Sequence, residues 1–265
     1  DAQDDDGSFN RTVQGSLRQF IQNANAITGT NAMRFVPAVA TNASGSGGNW
    51  WRIAVTNPLP DISDAGITID GTAYDRADGA TVVNPNAGQV GSGGTVGVDG
   101  LTLDRVERPE LELNGQDAFA ASGLVVDAAS ATIRNLALNS FGTDALNAQI
   151  WVTPSATPAA GEAVITGNLI GTLADGTDSG GLQRLGIATN GAAAISNNYI
   201  AHITNNGVMM SQAWIGSPNN EQVNFVNNEV AFSEYTAGLH CDAVSDIPDG
   251  AVVQGNYIHD TVGFA

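Results

Sequence analysis

The sequence predicts an all-β fold, a solenoid wound as a single-stranded parallel β-helix, with one short α-helix near its start. Two observations carry that prediction. Short apolar doublets recur, most of them closed by Asn or Asp beside Gly: GITIDG (66–71), LELNG (111–115), ATIRNLAL (131–138), AVITGNLI (163–170), AAISNNYI (193–200), VNFVNNEV (223–230) and AVVQGNYI (251–258). The asparagines of the last five, Asn135, Asn168, Asn198, Asn228 and Asn256, stand 33, 30, 30 and 28 residues apart, with no helix pattern of useful length between them. A period near thirty, built from short strands without crossover helices, is the signature of a coil that adds one layer of strands per turn.

The elements follow in chain order. Ser16 followed by Gln19 reads as a capping box, and Leu17, Phe20, Ile21 and Ala24 repeat on one helical face, so a short amphipathic helix is expected at about 16–25. MRFVPAV (33–39) reads as a strand, ATNASGSGGN (40–49) as a loop, WWRIAV (50–55) as a second strand and GITIDG as a third, ending in a Gly turn. The whole chain is expected to form one domain: an N-terminal cap at 1–30, irregular coils over 31–130, and regular coils of about thirty residues over 131–265. In such coils alternate apolar side chains point inward and stack on the next layer. Asn tolerates the left-handed bends between strands, and its amide can bond to an Asn one layer away. Asn168, Asn198, Asn228 and Asn256 are therefore expected to stack in a buried ladder. Asn135 sits one residue early within its motif, so its place in the ladder is open.

Composition narrows the function classes. The chain has 265 residues, a net charge of −18 and 42% hydrophobic residues; all nine cations are Arg. Such a chain repels nucleic acid and anionic membrane surfaces. No apolar run is long enough to insert in a membrane. Acidic composition without Lys is typical of proteins from salty habitats, where salt screens surface repulsion, and equally of a GC-rich genome. The single Cys241 allows no intrachain disulfide and reads as a small buried apolar residue. The opening at Asp1 suits a mature end left by cleavage of an export signal.

Three stretches resemble a family. GSLRQFIQNANAI is similar to the N-terminal segment of bacterial and archaeal surface β-helix proteins, commonly written CSLREAI…AN, with Gly15 in place of the Cys and Gln19 in place of the Glu. LPDISDAGITIDGTAY resembles the segment that follows in those proteins, and GNLIGTLADGTDSGG (167–181) resembles one of their repeats. The resemblance implies a right-handed coil, in agreement with the general hand of parallel crossovers. It also implies an exported, cell-surface location within a larger protein, a helix that caps the first coil, and no catalytic residues. A coil ending soon after Asn256 without a polar cap points to a fragment of a longer chain or to end-to-end stacking in a filament.

Other residues are candidates for chemistry. Lyase action on uronic acids needs cations, and past Arg134 the only Arg is Arg184. Hydrolysis of a neutral glycan needs two carboxylates flanking the bond. Asp144, Glu234, Asp242, Asp246 and Asp260 lie on the repeats, with His240 beside Asp242 and His259 beside Asp260. The structural alternative is that these are solvated loop carboxylates. Asp175 and Asp178 in ADGTDSGG offer oxygen ligands to Ca²⁺, and otherwise form a plain turn. Trp50, Trp51, Trp151 and Trp214 can stack on sugar rings or join the core, and Trp50 and Trp51 should face opposite sides of a strand. Asn10 and Asn42 begin Asn-x-Ser/Thr triplets that suit glycosylation. The expected function is an extracellular surface module, a rigid acidic rod whose insertions at 140–162, 171–190, 209–222 and 233–250 contact cells, glycans or copies of itself. The alternatives are a polysaccharide-processing enzyme and a filament subunit.

Overall fold

The computed structural model describes residues 15–98, 100–118, 120–128, 130–144, 147–153, 161–210, 222–234 and 251–262, and the backbone of 239–241. The described residues are mostly strands with one helix, arranged as several sheets in which parallel pairing dominates.

Three sheets carry the repeats. One joins Asn31–Ala32, Ile67–Asp70, Thr132–Arg134, Ala163–Thr166, Ala193–Ser196, Val223–Val226 and Val252–Gln254 in that order. A second joins Leu124–Val126, Ala148–Val152, Leu185–Thr189, Asn206–Met210 and Leu239–Cys241. The third runs from Ala43–Gly45 and Gly48–Ala54 through Leu111–Asn114, Leu136–Asn139, Leu169–Ile170, Tyr199–Ala201 and Glu229–Ala231 to Tyr257–His259. From Leu124 onward the chain visits the second, first and third sheets in rotation, and each strand pairs in parallel with the equivalent strand of the next circuit. In-register pairing stacks like on like: Ile69, Ile133, Ile165, Ile195 and Phe225 form one inward column, and Ile53, Leu113, Leu138, Ile170, Ile200 and Val230 another. All of them are buried in one continuous apolar core.

The helix spans Leu17–Ala26 and buries Leu17, Ile21 and Ala24 in that core. Ser16 caps it, its hydroxyl accepting from the Gln19 N–H at 3.2 Å, but the Gln19 amide turns to Asn23 Oδ1 at 3.1 Å, so the box is only half formed. The strand expected at 33–39 is not formed. Pro37 has no N–H to give a ladder, and only Asn31–Ala32 and a single bridge between Phe35 and Ala73 pair there. The expected loop at 40–49 instead contains Ala43–Gly45, which folds back antiparallel on Gly48–Ala54.

The outer side of the third sheet is not bare. Between Asp70 and Leu111 the chain makes an excursion with two small antiparallel pairs, Gln89–Val90 with Val106–Glu107 and Gly94–Val96 with Leu101–Leu103. Together with the turn at 173–177 it covers a second apolar cluster that includes Trp50, Val106, Ala137, Leu169, Ala174 and Tyr199. This cover stops at the circuit of Glu229, and the next residue in that outward column, Tyr257, is exposed.

Candidate functional site

The bends that position the site divide labour between neighbouring residues. Asn135, Gly167, Asn197, Asn227 and Gly255 hold φ between 54° and 67°, the left-handed bend that ends the first-sheet strands from Thr132–Arg134 onward. The residue after each bend enters the ladder. Asn168 Nδ2 donates to Asn198 Oδ1, Asn198 Nδ2 to Asn228 Oδ1 and Asn228 Nδ2 to Asn256 Oδ1, each at 3.0 Å. The backbone N–H groups of the same three residues donate to the same oxygens at 3.0, 3.1 and 2.8 Å. Asn135 is therefore a bend residue, and Leu136 sits in the ladder position, its N–H donating to Asn168 Oδ1 at 3.1 Å.

Four residues beyond Asn198, Asn228 and Asn256, at the ends of Tyr199–Ala201, Glu229–Ala231 and Tyr257–His259, stand His202, Phe232 and Asp260, with φ of 57°, 53° and 51°. His and Asp accept this backbone readily; a bulky aromatic residue does not, and the left-handed region costs about 1–2 kcal/mol for an L-residue with a side chain. Phe232 nevertheless keeps 41% of its surface exposed.

These bends and the last strand assemble a row of rings. His202 stacks on Phe232 at 4.9 Å between centroids, Phe232 meets His259 edge-on at 6.0 Å, and His259 stacks on Tyr257 at 4.3 Å. Tyr257 and His259 are two apart in one strand and so share its outer face. His259 aligns with Ala231, whose small side chain leaves the imidazole room to reach Glu229.

A carboxylate system holds that imidazole. His259 Nε2 lies 3.0 Å from Glu229 Oε1, and Nδ1 lies 2.8 Å from Asp260 Oδ2. Glu229 is buried, and Ser92 satisfies it from the excursion: the Ser92 N–H donates to Oε2 at 2.6 Å and the hydroxyl to Oε1 at 2.9 Å. Gly91 is required there, because a Cβ would stand 2.8 Å from Glu229 Oε2 at a φ of 102°. Burial works to lower the His259 pKa, but the hydrogen bonds and charges of Asp260 and Glu229 outweigh it and raise the pKa above the ordinary histidine value. Tyr199, in the same outward column as Glu229, has its hydroxyl pKa pushed up to about 12 by burial and by the charges of Glu229 and Asp260.

Of the sequence candidates, Asp260 joins this system. Glu234 is exposed two residues beyond Phe232, and Asp144 is exposed elsewhere. Asp242, Asp246, Asn10 and Trp214 lie outside the described residues, as do the side chains of His240 and Cys241. Asp175 is a clasp between loops: its Oδ2 accepts from the Ser46 N–H at 2.7 Å, and its Oδ1 accepts from the Thr177 N–H and hydroxyl at 3.0 and 2.6 Å. Asp178 turns the other way, accepting from the Gly180 N–H at 2.9 Å and approaching His202 Nδ1 at 3.8 Å. Among the described residues no group of three or more His, Cys, Asp or Glu converges as a metal would require. Asn42 uses its amide at both ends on the Arg52 backbone, at 2.9 and 2.7 Å. The tryptophans do face opposite sides. Trp50 is fully buried under the excursion and donates to Glu112, while Trp51 meets Phe35 edge-on at 5.7 Å. Trp151 donates to Asn190 Oδ1 at 3.1 Å.

Sequence reasoning missed Glu229, Phe232, Tyr257, His202 and Ser92. The first four had a signal: aligned on the ladder asparagines, one position reads Tyr199, Glu229, Tyr257 and another His202, Phe232, Asp260. Ser92 had none, being 137 residues from its partner. Comparison with known proteins finds no family model and no curated protein that matches this chain.

Proposed function

We propose that the chain is a right-handed parallel β-helix that serves as a rigid, acidic extracellular surface module, making contact through side chains displayed on its outer faces. The observation that carries this reading is the row of rings, with Phe232 and Tyr257 exposed, held at the outer side of successive layers of one parallel sheet. Parallel pairing between successive layers, with a ladder of amides beside it, holds such a row without the ordering cost of a loop. The resemblance to surface β-helix proteins and the charge of −18 support the same reading.

Hydrolysis is supported less well. A glycosidase needs one carboxyl group free to protonate and another free to attack or to activate water. Both Glu229 oxygens are occupied by Ser92 and His259, and Asp260 is shared with His259.

A glycan array, followed by analysis of the bound glycans for cleavage, tests the proposal. Retention of glycans with no fragments released is the expected result. New reducing ends or unsaturated products would overturn it in favour of an enzyme, and no retention of any glycan or cell-surface ligand would overturn the contact role.

A further inference from the structure

A cavity of about 670 Å³ opens beside the helix that covers the first coil, within the size range of small-molecule sites. Residues 33–38 run past the helix without forming a strand, and the gap between the two reaches the end of the core. Its floor is apolar: Ile53 and Leu111 are buried core residues, and Phe20, Met33 and Phe35 pack half-buried against them. Aromatic rings and a methionine make an adaptable surface for an alkyl chain.

The charge at this cavity runs against that of the whole chain. The sequence holds 27 acidic residues against nine arginines, yet two arginines, Arg34 and Arg76, and no acid line the cavity among the described residues. Arg34 is fixed in place, donating to the Gly79 carbonyl at 2.7 Å with its guanidinium 4.5 Å from the centre of the Tyr74 ring. Arg76 is exposed and forms no hydrogen bond or ion pair with another described residue. Elsewhere Arg52 and Arg134 are held by Glu112 and Asp70, and Arg18 by the carbonyls of Asn57 and Pro58. The carboxylates that flank Arg76 in sequence turn to their own loop: Asp75 accepts from the Ala77 N–H at 2.6 Å, and Asp78 from the Ala80 N–H at 2.9 Å. A free guanidinium beside an apolar floor matches a carboxylate carried on an apolar body.

We infer that this cavity binds one free carboxylic acid bearing an unbranched alkyl chain. The chain lies on the floor of Phe20, Met33 and Phe35, and the carboxylate meets Arg76 with Arg34 beside it. The site is separate from the ring row, so it stands or falls apart from the outer-face reading.

Isothermal titration of the full chain with decanoate, decanol and decylammonium tests this. Decanoate should bind at a single saturable site and more tightly than decanol. The net charge of −18 draws decylammonium to the whole surface, so it should show no such site. Arg76→Gln, on an exposed residue, should lower decanoate affinity about tenfold and leave decanol unchanged. Gln19→Glu places a carboxylate in the lining at the third helical position, where an acid suits the helix, so the fold is kept while decanoate binding weakens several-fold. Decanoate no tighter than decanol, or decylammonium as tight as decanoate at a single site, would overturn the inference. So would decanoate affinity unchanged in both variants, or uptake of many decanoates per chain.

Discussion

Replacing Asn198 with Ala should be among the most costly single changes in the chain. Its side chain is fully buried and makes contacts in two directions. It accepts at Oδ1 from the Asn168 N–H and Nδ2, both at 3.0 Å, and donates from Nδ2 to the carbonyls of Ile165 at 2.9 Å and Ser196 at 3.0 Å. Truncation leaves the Asn168 N–H without its acceptor in a place water does not reach, and takes a donor from both carbonyls. A buried unsatisfied group costs about 1–3 kcal/mol, so the loss should total about 2–4 kcal/mol. Asn256 makes the same contacts to Asn228 but is half-buried, so water can replace them, and Asn256→Ala should cost about 1 kcal/mol. Urea unfolding followed by circular dichroism measures both. Asn198→Asp gives an internal check: it keeps an acceptor but places a carboxylate opposite carbonyl oxygens, so its deficit should shrink as pH falls and the acid becomes a donor. Equal costs for the Asn198 and Asn256 truncations, or a cost below about 0.5 kcal/mol for Asn198→Ala, would refute the ladder as a stabilising device.

Three further outcomes are expected. Ile165→Ala, in the middle of an inward column, should cost about 2–5 kcal/mol in the same assay, while Val253→Ala, exposed in that column's last layer, should cost well under half as much. Glu110→Gln should stabilise the chain at pH 7: burial and the charge of Asp70 raise the Glu110 pKa despite the Ala73 N–H bond, and Oε1 has no partner among the described residues, so the gain should fade as pH falls through the folded pKa and be gone below the unfolded glutamate value of about 4.3. His259 has a raised folded pKa, so the stability it contributes is full below the unfolded histidine value of about 6.5 and is lost as pH rises through the folded one. The stability of the parent relative to His259→Gln should therefore fall as pH rises from the unfolded value through the folded one, read as a pH series of urea midpoints.

Particular residues show how much of this was legible in the sequence. The period of the asparagines gave the layers, because parallel in-register pairing requires each circuit to repeat the same apolar and polar columns. The two roles of Asn were harder to separate. In Asn197–Asn198 the first residue bends and the second bonds, and only the substitution of Gly for the first in Gly167–Asn168 and Gly255–Asn256 hints at the division. The excursion over 71–110 was opaque, because its two-residue and three-residue pairs carry no period, yet it buries Trp50 and satisfies Glu229. The expected strand at 33–39 failed because Pro37 has no N–H to give a ladder. Of the candidate site, Asp260 was named and His259 noted beside it. The ring row escaped because its members share an offset from the ladder rather than a local motif.

The central claim is that equivalent residues of successive circuits, about thirty apart in sequence from Thr132 onward and 64 apart across the excursion, lie one strand spacing apart in space. Thr68, Thr132, Val164, Ala194, Asn224 and Val252 form one outward column of the first sheet. Spin labels on cysteines placed in pairs along this column, with Cys241 replaced by Ala, report the spacing by electron–electron double resonance. At one strand spacing per step, the Thr132–Val252 backbone separation should be about 19 Å and the Thr68–Val252 separation about 24 Å. Distances that rise by one strand spacing for each circuit would bear out the layered coil. Distances that do not grow with the number of circuits, or that jump by much more than one spacing, would contradict it.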